Sequence, residues 1–183
     1  MKIFALYLRI DLTIKPAWFD RVRGAHASRS ILHITLIQPR YVDESQIGEL
    51  KNRVDRVLSV LKYNAEDKKI FFDRTEIEKK EDGQYLFMWF IKRSKFIVDL
   101  LKKLVEELKI FNNYCNEVTK EYESNFRPHM TVADMITNET EIHELLLKDS
   151  ACEGFSVDFV LPIVKDKSVE ESENQNNFTV FNI

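Results

Sequence analysis

The pattern of apolar and polar positions divides the chain into alternating strands and helices. Short β-rich or alternating apolar runs predict strands at residues 2–10, 31–38, 69–79, 84–92, 127–133, 153–164 and 177–183. Apolar residues at helical spacing predict helices at residues 16–24, 44–62, 95–110 and 139–148. A capping box from Asp43 to Gln46 and a cap at Ser94 mark the starts of the two longest helices. Pro39 is expected to end the second strand, because proline cannot donate to a sheet ladder.

The two halves of the chain repeat the same order of elements. Each half runs strand, helix, strand, helix, strand, and the apolar run at residues 2–10 corresponds to the run at 84–92. We therefore expect one domain over residues 1–183, made of two α/β lobes at approximately 1–80 and 81–183 that are free to exchange terminal strands. Two lobes related by a pseudo-twofold axis, with mixed or antiparallel sheets and helices on the outer faces, satisfy this alternation.

The composition is that of a soluble globular protein. Hydrophobic residues make up 44% of the 183 positions, and 13 Phe supply ample core material. No apolar run approaches the length of a membrane span, and the net charge of −3 argues against coating of long duplex nucleic acid. Two cysteines are too few for a disulfide framework or a cysteine zinc site. With no export signal visible, we expect a cytoplasmic monomer without a membrane partner.

Two of the four histidines stand in the same tetrapeptide pattern of His, any residue, Thr and an aliphatic residue. The two copies are His33-Ile34-Thr35-Leu36 and His129-Met130-Thr131-Val132. On a strand, alternate residues point to the same face, so each His shares a face with its Thr while the apolar pair is free to be buried. The pseudo-twofold axis would turn the two His-Thr pairs into one shared groove. Two such motifs at equivalent places are a much stronger signal than one.

Two imidazoles and two hydroxyls suit acid–base attack at phosphorus. A neutral His accepts a proton from water or a ribose hydroxyl, and a protonated His donates one to the leaving oxygen. Each Thr hydroxyl can donate a hydrogen bond to a non-bridging phosphate oxygen. We expect no metal and no other cofactor, because imidazolium and hydroxyl donors stabilise the charge and no carboxylate lies two residues from either His.

With these motifs the sequence resembles the two-histidine (2H) phosphoesterase superfamily, in its 2′-5′ RNA ligase-like and cyclic phosphodiesterase branch. The motif that begins at His129, with Arg127 and Pro128 before it, looks like the second motif of that branch, whereas Leu32 stands where many relatives have Pro. The resemblance implies an α+β fold: a bilobal pseudo-twofold repeat with two mainly antiparallel sheets and outer helices around an open central cleft. It also implies that the His and Thr of both motifs are catalytic, namely His33, Thr35, His129 and Thr131.

The function implied is that of a phosphoric diester hydrolase in RNA processing. We expect metal-independent hydrolysis of 2′,3′-cyclic phosphates or of 2′-5′-linked nucleotide or RNA ends, with a small nucleotide or short RNA end as the partner. Two alternatives stay open. The same residues running in reverse would make a 2′-5′ RNA ligase, and a catalytically weak RNA-end binding module would use the groove without turnover.

Five further residues are candidates for substrate binding. Arg127 adjoins the second motif and could grip a phosphate, with a surface salt bridge as the alternative. Arg40 and Tyr41 follow the first motif and could line the rim of the cleft. Tyr7 and Phe126 could stack a base. For the last four, an ordinary core or surface role is the alternative.

Overall fold

A computed structural model of the chain describes residues 1–26, 31–62, 64, 66–138, 140, 143–144, 151–165 and 177–182. The strands in this part of the chain are β1 (Lys2–Ile14), β2 (His33–Val42), β3 (Lys69–Lys79), β4 (Tyr85–Ile91), β5 (His129–Ile136), β6 (Glu153–Val164) and β7 (Phe178–Asn182). The helices are α1 (Phe19–His26), α2 (Ile47–Val60), α3 (Lys95–Glu107) and α4 (Lys120–Ser124). The predicted α+β class is confirmed.

The sheet consists of two groups of antiparallel strands that meet at two seams. The order β7-β6-β1-β2 forms one group and β3-β4-β5 forms the other. At the first seam, Lys69–Phe71 of β3 pairs with Glu153–Phe155 of β6. At the second seam, β2 and β5 are joined where Ile34 pairs with Met130. Strand β6 thus lies beside β1 with β7 beyond it, and the two His-x-Thr strands are neighbours.

One face of the second seam is buried in the core. Ile34 and Met130 are fully buried, and Trp89 of β4 pairs with Met130 and shares its face. The indole of Trp18 stacks on Trp89 at 6.1 Å between ring centroids, and Phe19 packs at 6.4 Å. The start of α1 therefore covers this face, which leaves the opposite face of the seam for the histidines.

Two local predictions were wrong at strand and helix ends. Strand β2 does not end at Pro39 but continues to Val42. The register between β1 and β2 shifts beside Pro39, so no backbone N–H is needed there to hydrogen-bond to the neighbouring strand. The Asp43 side chain makes no capping bond, since a 3₁₀ turn precedes α2 and the Gln46 amide donates to the Asp43 carbonyl at 2.9 Å. The Ser94 cap is confirmed: its side chain accepts from the Ile97 amide at 3.2 Å.

The helix predicted at 139–148 lies mostly outside the described residues, and so do residues 166–176 between β6 and β7. No helix in the described part of the chain has both the length and the apolar character needed to cross a membrane.

Candidate active site

The register of the second seam brings the two His-x-Thr motifs together. Because Ile34 pairs with Met130 in an antiparallel bridge, the flanking residues stand opposite one another in crossed order. His33 faces Thr131 across the strands, and Thr35 faces His129. All four side chains point to the face opposite the buried pair. The two histidines are therefore diagonal neighbours, with about 7–8 Å between their backbones.

Each imidazole is held by the backbone in the same way. The Nδ1 atom of His33 lies 2.8 Å from the carbonyl oxygen of Ile31, and Nδ1 of His129 lies 2.9 Å from the carbonyl oxygen of Arg127. A carbonyl oxygen can only accept, so Nδ1 carries the proton and donates it in both rings. In the neutral form Nε2 then has a free lone pair. In both histidines this bond goes to the carbonyl of the residue two positions earlier. It fixes the tautomer in which Nδ1 carries the proton and Nε2 can act as a general base.

Burial lowers the pKa of both histidines. For His33, burial is the main cause, and the positive charge of Arg23 lowers the pKa further, against the opposing bond to the Ile31 carbonyl. For His129, burial is again the main cause of the lowered pKa. The hydrogen bond to the Arg127 carbonyl opposes it, while the charges of Arg127 and His33 lower the pKa further. Because charge on one imidazole opposes charge on the other, the state in which both histidines are protonated is disfavoured.

Aromatic rings flank both imidazoles. The Tyr7 ring lies 4.4 Å from the His33 ring, measured between centroids, and Tyr7 pairs with Thr35 across β1 and β2. The rings of Phe90 and Tyr122 lie 5.3 Å and 5.7 Å from that of His129. Burial raises the pKa of Tyr7, which keeps its phenol protonated. These rings restrict the rotation of the imidazoles and exclude water from one side of each.

Arg127 lies beside His129 and is already engaged within the protein. Its guanidinium is 2.5 Å from a carboxylate oxygen of Glu76 and stacks over the rings of Phe90 and Tyr122 at 5.3 Å and 5.4 Å. About a third of the side chain remains exposed. Arg127 therefore forms the salt bridge that the sequence analysis gave as the alternative. Its guanidinium still has N–H donors beyond those that Glu76 occupies.

The other predicted binding residues are spread over the molecule. Phe126 lines a cavity next to His129, with the guanidinium of Arg93 over its ring at 4.8 Å. Tyr41 pairs with Ile3 near the far end of β2. It lies six positions beyond Thr35, about 20 Å along an extended strand. It is therefore too far away to touch a phosphate held between the histidines.

Arg40 does not line the rim of the site, and that prediction was wrong. The side chain is 1% exposed, and its guanidinium binds the carboxylate of Glu123 together with the carbonyl oxygens of Leu108 and Phe111. Its place after the first motif suggested a surface position. The bridge between Arg40 and Tyr114 instead covers this part of β2 with a distant segment of the chain.

Several residues around the histidines could not be recognised as site residues from the sequence alone. Arg23 of α1 donates to the carbonyl oxygens of Thr131 and Val132 at 3.3 Å and 3.2 Å, at the edge where β5 has diverged from β2. Phe90 and Tyr122 reach His129 from β4 and α4. None of these residues belongs to a motif, and only the pairing of distant strands and helices brings them to the site.

Comparison with known proteins identifies the fold. No family model matches the chain, and no curated protein sequence does. Among solved structures, Usb1 of Kluyveromyces marxianus superposes with a TM-score of 0.55 at 11% identity, over 99% of this chain and 98% of its own. The same protein with uridine monophosphate gives a TM-score of 0.57 at 10% identity, over 99% and 98% of the two chains. A crystal structure described as a phosphoesterase gives 0.52 at 9% identity, over 100% of this chain and 95% of its own.

The chain therefore shares the fold of Usb1 and of the structure described as a phosphoesterase. These identities are low, so the likeness establishes the fold, and the chemistry has to be argued from the site itself.

Proposed function

We propose that the chain is a metal-independent phosphodiesterase that hydrolyses 2′,3′-cyclic phosphates or 2′-5′ linkages at nucleotide or RNA ends. The observation that carries this proposal is the crossed register of the second seam. It sets two imidazoles on one face of the sheet, each with Nδ1 bound to a backbone carbonyl and Nε2 free to exchange a proton. The four motif residues stand at the corners of a square on this face, with the histidines on one diagonal and Thr35 and Thr131 on the other.

The arrangement supports an in-line displacement at phosphorus. Nε2 of the neutral histidine takes a proton from the attacking water as the water oxygen bonds to phosphorus. Nε2–H of the protonated histidine donates to the leaving ribose oxygen as the P–O bond breaks. A phosphomonoester and a free hydroxyl result. The histidine that acted as the base is now protonated and the one that acted as the acid is neutral, so the two protonation states have been exchanged. The histidines then exchange roles or re-equilibrate with solvent before the next turnover.

The crossed arrangement matches the needs of this displacement. The attacking and leaving oxygens lie on opposite sides of phosphorus, and diagonal histidines about 7–8 Å apart at the backbone can approach one phosphate from two sides. The Thr35 and Thr131 hydroxyls are then directed at the non-bridging oxygens, where charge grows in the transition state. Tyr7 and Arg127 flank the histidines and complete the walls of the proposed phosphate site.

The test is an assay in EDTA with 2′,3′-cyclic nucleotides and 2′-5′-linked oligoadenylates as substrates. We expect His33→Ala and His129→Ala each to lower kcat by about 10²–10⁴-fold, because each removes one proton transfer. Thr35→Ala and Thr131→Ala should each lower it by about 10²-fold or more. His143→Ala is the matched control, since that histidine is exposed and outside both motifs.

Three outcomes would overturn the proposal. Hydrolysis that survives unchanged in both histidine variants would remove their assigned roles. Tight binding of RNA ends without turnover would favour a binding module. Joining of RNA ends into 2′-5′-linked product without hydrolysis would favour the ligase.

A further inference from the structure

A cavity of about 640 Å³ opens beside His129, at the meeting point of β3, β4 and the segment that leads into β5. This volume is in the range of sites that hold a nucleotide-sized ligand. Its most informative lining residues are cationic or aromatic: Arg74, Phe90, Lys92, Arg93, Phe126 and Arg127. None of the four motif residues lines it, so it is a space separate from the histidine pair.

The cavity is positively charged although the chain is not. Arg74, Lys92, Arg93 and Arg127 line it against the carboxylates of Asp73 and Glu76, whereas the whole chain carries a net charge of −3. An excess of basic side chains in one cavity of an acidic protein indicates an anionic ligand.

Glu76 orients the arginines rather than neutralising the cavity. Its carboxylate lies 3.2 Å from Nε of Arg74 and 2.5 Å from the guanidinium of Arg127, so it holds both side chains on one wall. Each guanidinium has five N–H donors in a planar fork, and one carboxylate occupies only part of them. The remaining donors are available to a phosphate.

The arginines are also stacked on aromatic rings. The guanidinium of Arg74 lies 4.4 Å from the centre of the Phe90 ring, and that of Arg93 lies 4.8 Å from the centre of the Phe126 ring. Stacking fixes the plane of each guanidinium and directs its N–H groups along the ring edge. Phe126 is only partly buried, so its ring can also contact a base.

The backbone at Phe126 ends α4 and positions this wall. Phe126 has a φ of 48°, in the left-handed region that residues other than glycine rarely adopt. Its amide donates to the carbonyl oxygen of Glu123 at 3.3 Å, and the Arg127 amide donates to that of Tyr122 at 2.9 Å. These two bonds form a Schellman motif, which ends the helix and leaves the Phe126 ring beneath the guanidinium of Arg93.

The cavity is continuous with the surroundings of His129. Phe90 lines the cavity and lies 5.3 Å from the His129 ring between centroids. Arg127 lines it too, and its carbonyl oxygen holds the imidazole. A chain of nucleotides with its scissile phosphate at the histidines would therefore place its next nucleotide in the cavity.

We propose that this cavity is a subsite for the nucleotide next in the chain to the one that carries the scissile phosphate, with Arg74 and Arg93 on the phosphate that links the two nucleotides and Phe126 against the base. It makes an oligonucleotide end, rather than a free mononucleotide, the preferred substrate. This inference rests on the proposed function for the position of the scissile phosphate.

The experiment compares a 2′,3′-cyclic mononucleotide with a trinucleotide that ends in the same cyclic nucleotide. We expect a higher kcat/KM for the trinucleotide in the unmodified protein. Arg74→Ala and Arg93→Ala should each reduce the ratio of trinucleotide to mononucleotide kcat/KM by about tenfold, mainly through KM, and Arg93→Lys should restore part of it. The control is Arg56→Ala, an exposed arginine of α2 paired with Glu107, which should leave the ratio unchanged.

A binding measurement separates failure of the subsite from failure of the catalytic proposal. Fluorescence anisotropy with a labelled 2′-5′-linked trinucleotide needs no turnover, so it tests the cavity even if neither substrate is hydrolysed. We expect weaker binding in the Arg74→Ala/Arg93→Ala double variant and a shallower dependence of log Kd on log salt, by about 0.7 per lost phosphate contact. Unchanged affinity and salt dependence, or an unchanged kcat/KM ratio in an active protein, would overturn the subsite.

Discussion

The two histidines have the same backbone bond but different neighbours. His33 lies under the Tyr7 ring and within the field of Arg23. His129 lies between Phe90 and Tyr122 and within the field of Arg127. Both environments combine burial with a nearby cation, and both effects disfavour the imidazolium. The pKa values of both histidines are therefore lowered, and the pH optimum of the proposed reaction should be lowered with them.

The rate should be greatest at a mildly acidic pH. The base must be neutral and the acid protonated, so kcat/KM should follow a bell between the two apparent pKa values of the pair. Burial lowers the pKa of both histidines from the usual value of about 6.5, so the centre of the bell should lie below that pH. The measurement is kcat/KM for a 2′,3′-cyclic nucleotide against pH at constant ionic strength. A maximum above pH 7 would contradict the shifts.

At the scale of elements, the short helix α4 is held in place by a buried ion pair. Glu123 of α4 accepts from the guanidinium of Arg40, from the Tyr114 hydroxyl at 2.9 Å and from the Gln38 amide at 2.7 Å. Burial, with the nearby carboxylate, raises the pKa of Tyr114 to about 12, so its hydroxyl remains a donor. Five residues are too few to form a stable helix alone. The ion pair therefore positions α4, and with it Tyr122 against His129.

Breaking this ion pair should destabilise the protein strongly. Arg40→Met leaves the Glu123 carboxylate buried without its cation, and we expect the free energy of unfolding to fall by about 3–5 kcal/mol. Replacing both partners by apolar residues should cost less than the single change. The measurement is urea unfolding, with Asp99→Asn as control because its pair with Lys95 is exposed and should contribute at most about 1 kcal/mol. Equal effects of Arg40→Met and Asp99→Asn would refute the anchoring role.

The pairing of β6 with β1 depends on a glycine. A Cβ atom at Gly154 would lie 2.5 Å from the carbonyl oxygen of Asp11, which is backbone and cannot move without shifting the strand. We expect Gly154→Ala to lower the free energy of unfolding by about 1–3 kcal/mol. Gly48→Ala in α2 is the matched control, because nothing lies within 4 Å of its Cβ position, and it should be neutral or slightly stabilising. Thermal unfolding of the two variants compares them directly, and equal melting temperatures would contradict the close approach.

At the scale of the whole molecule, the site exists only where the two groups of strands meet. Each group contributes one His-x-Thr strand, and the bridge between Ile34 and Met130 sets their register. A slip of one residue at this seam would turn the histidine of one strand into the core. The proposed catalytic pair is thus a property of the assembled sheet rather than of either half of the chain.

The two histidines should behave as one catalytic unit. Since each supplies one half of a coupled proton transfer, the His33→Ala/His129→Ala double variant should lose little more activity than the more damaging single variant. The measurement is kcat on a cyclic nucleotide for the two single variants and the double variant. Losses that multiply would mean that the residues act independently, against the mechanism proposed here.

The local pattern was sufficient for most of the elements. Alternating apolar runs predicted strands that the structure confirms at β3, β4 and β6, and Ser94 caps α3 as expected. The shared face of each His and its Thr also followed from the sequence, because alternation along a strand depends only on the backbone. Pro39 and Asp43 were misjudged because their behaviour depends on a register shift and a 3₁₀ turn, which neighbours in space decide.

The amino-acid pattern alone was enough to place His33 and Thr35 on one face of a strand, and His129 and Thr131 likewise. It was also enough to predict that their apolar neighbours are buried, since side-chain direction along a strand is a local property. That these faces meet at one seam depends on the folded molecule, because strand register is set by packing between residues far apart in the chain. The same packing buried Arg40 against Glu123 and gathered Arg74 and Arg93 beside His129 in a positively charged cavity.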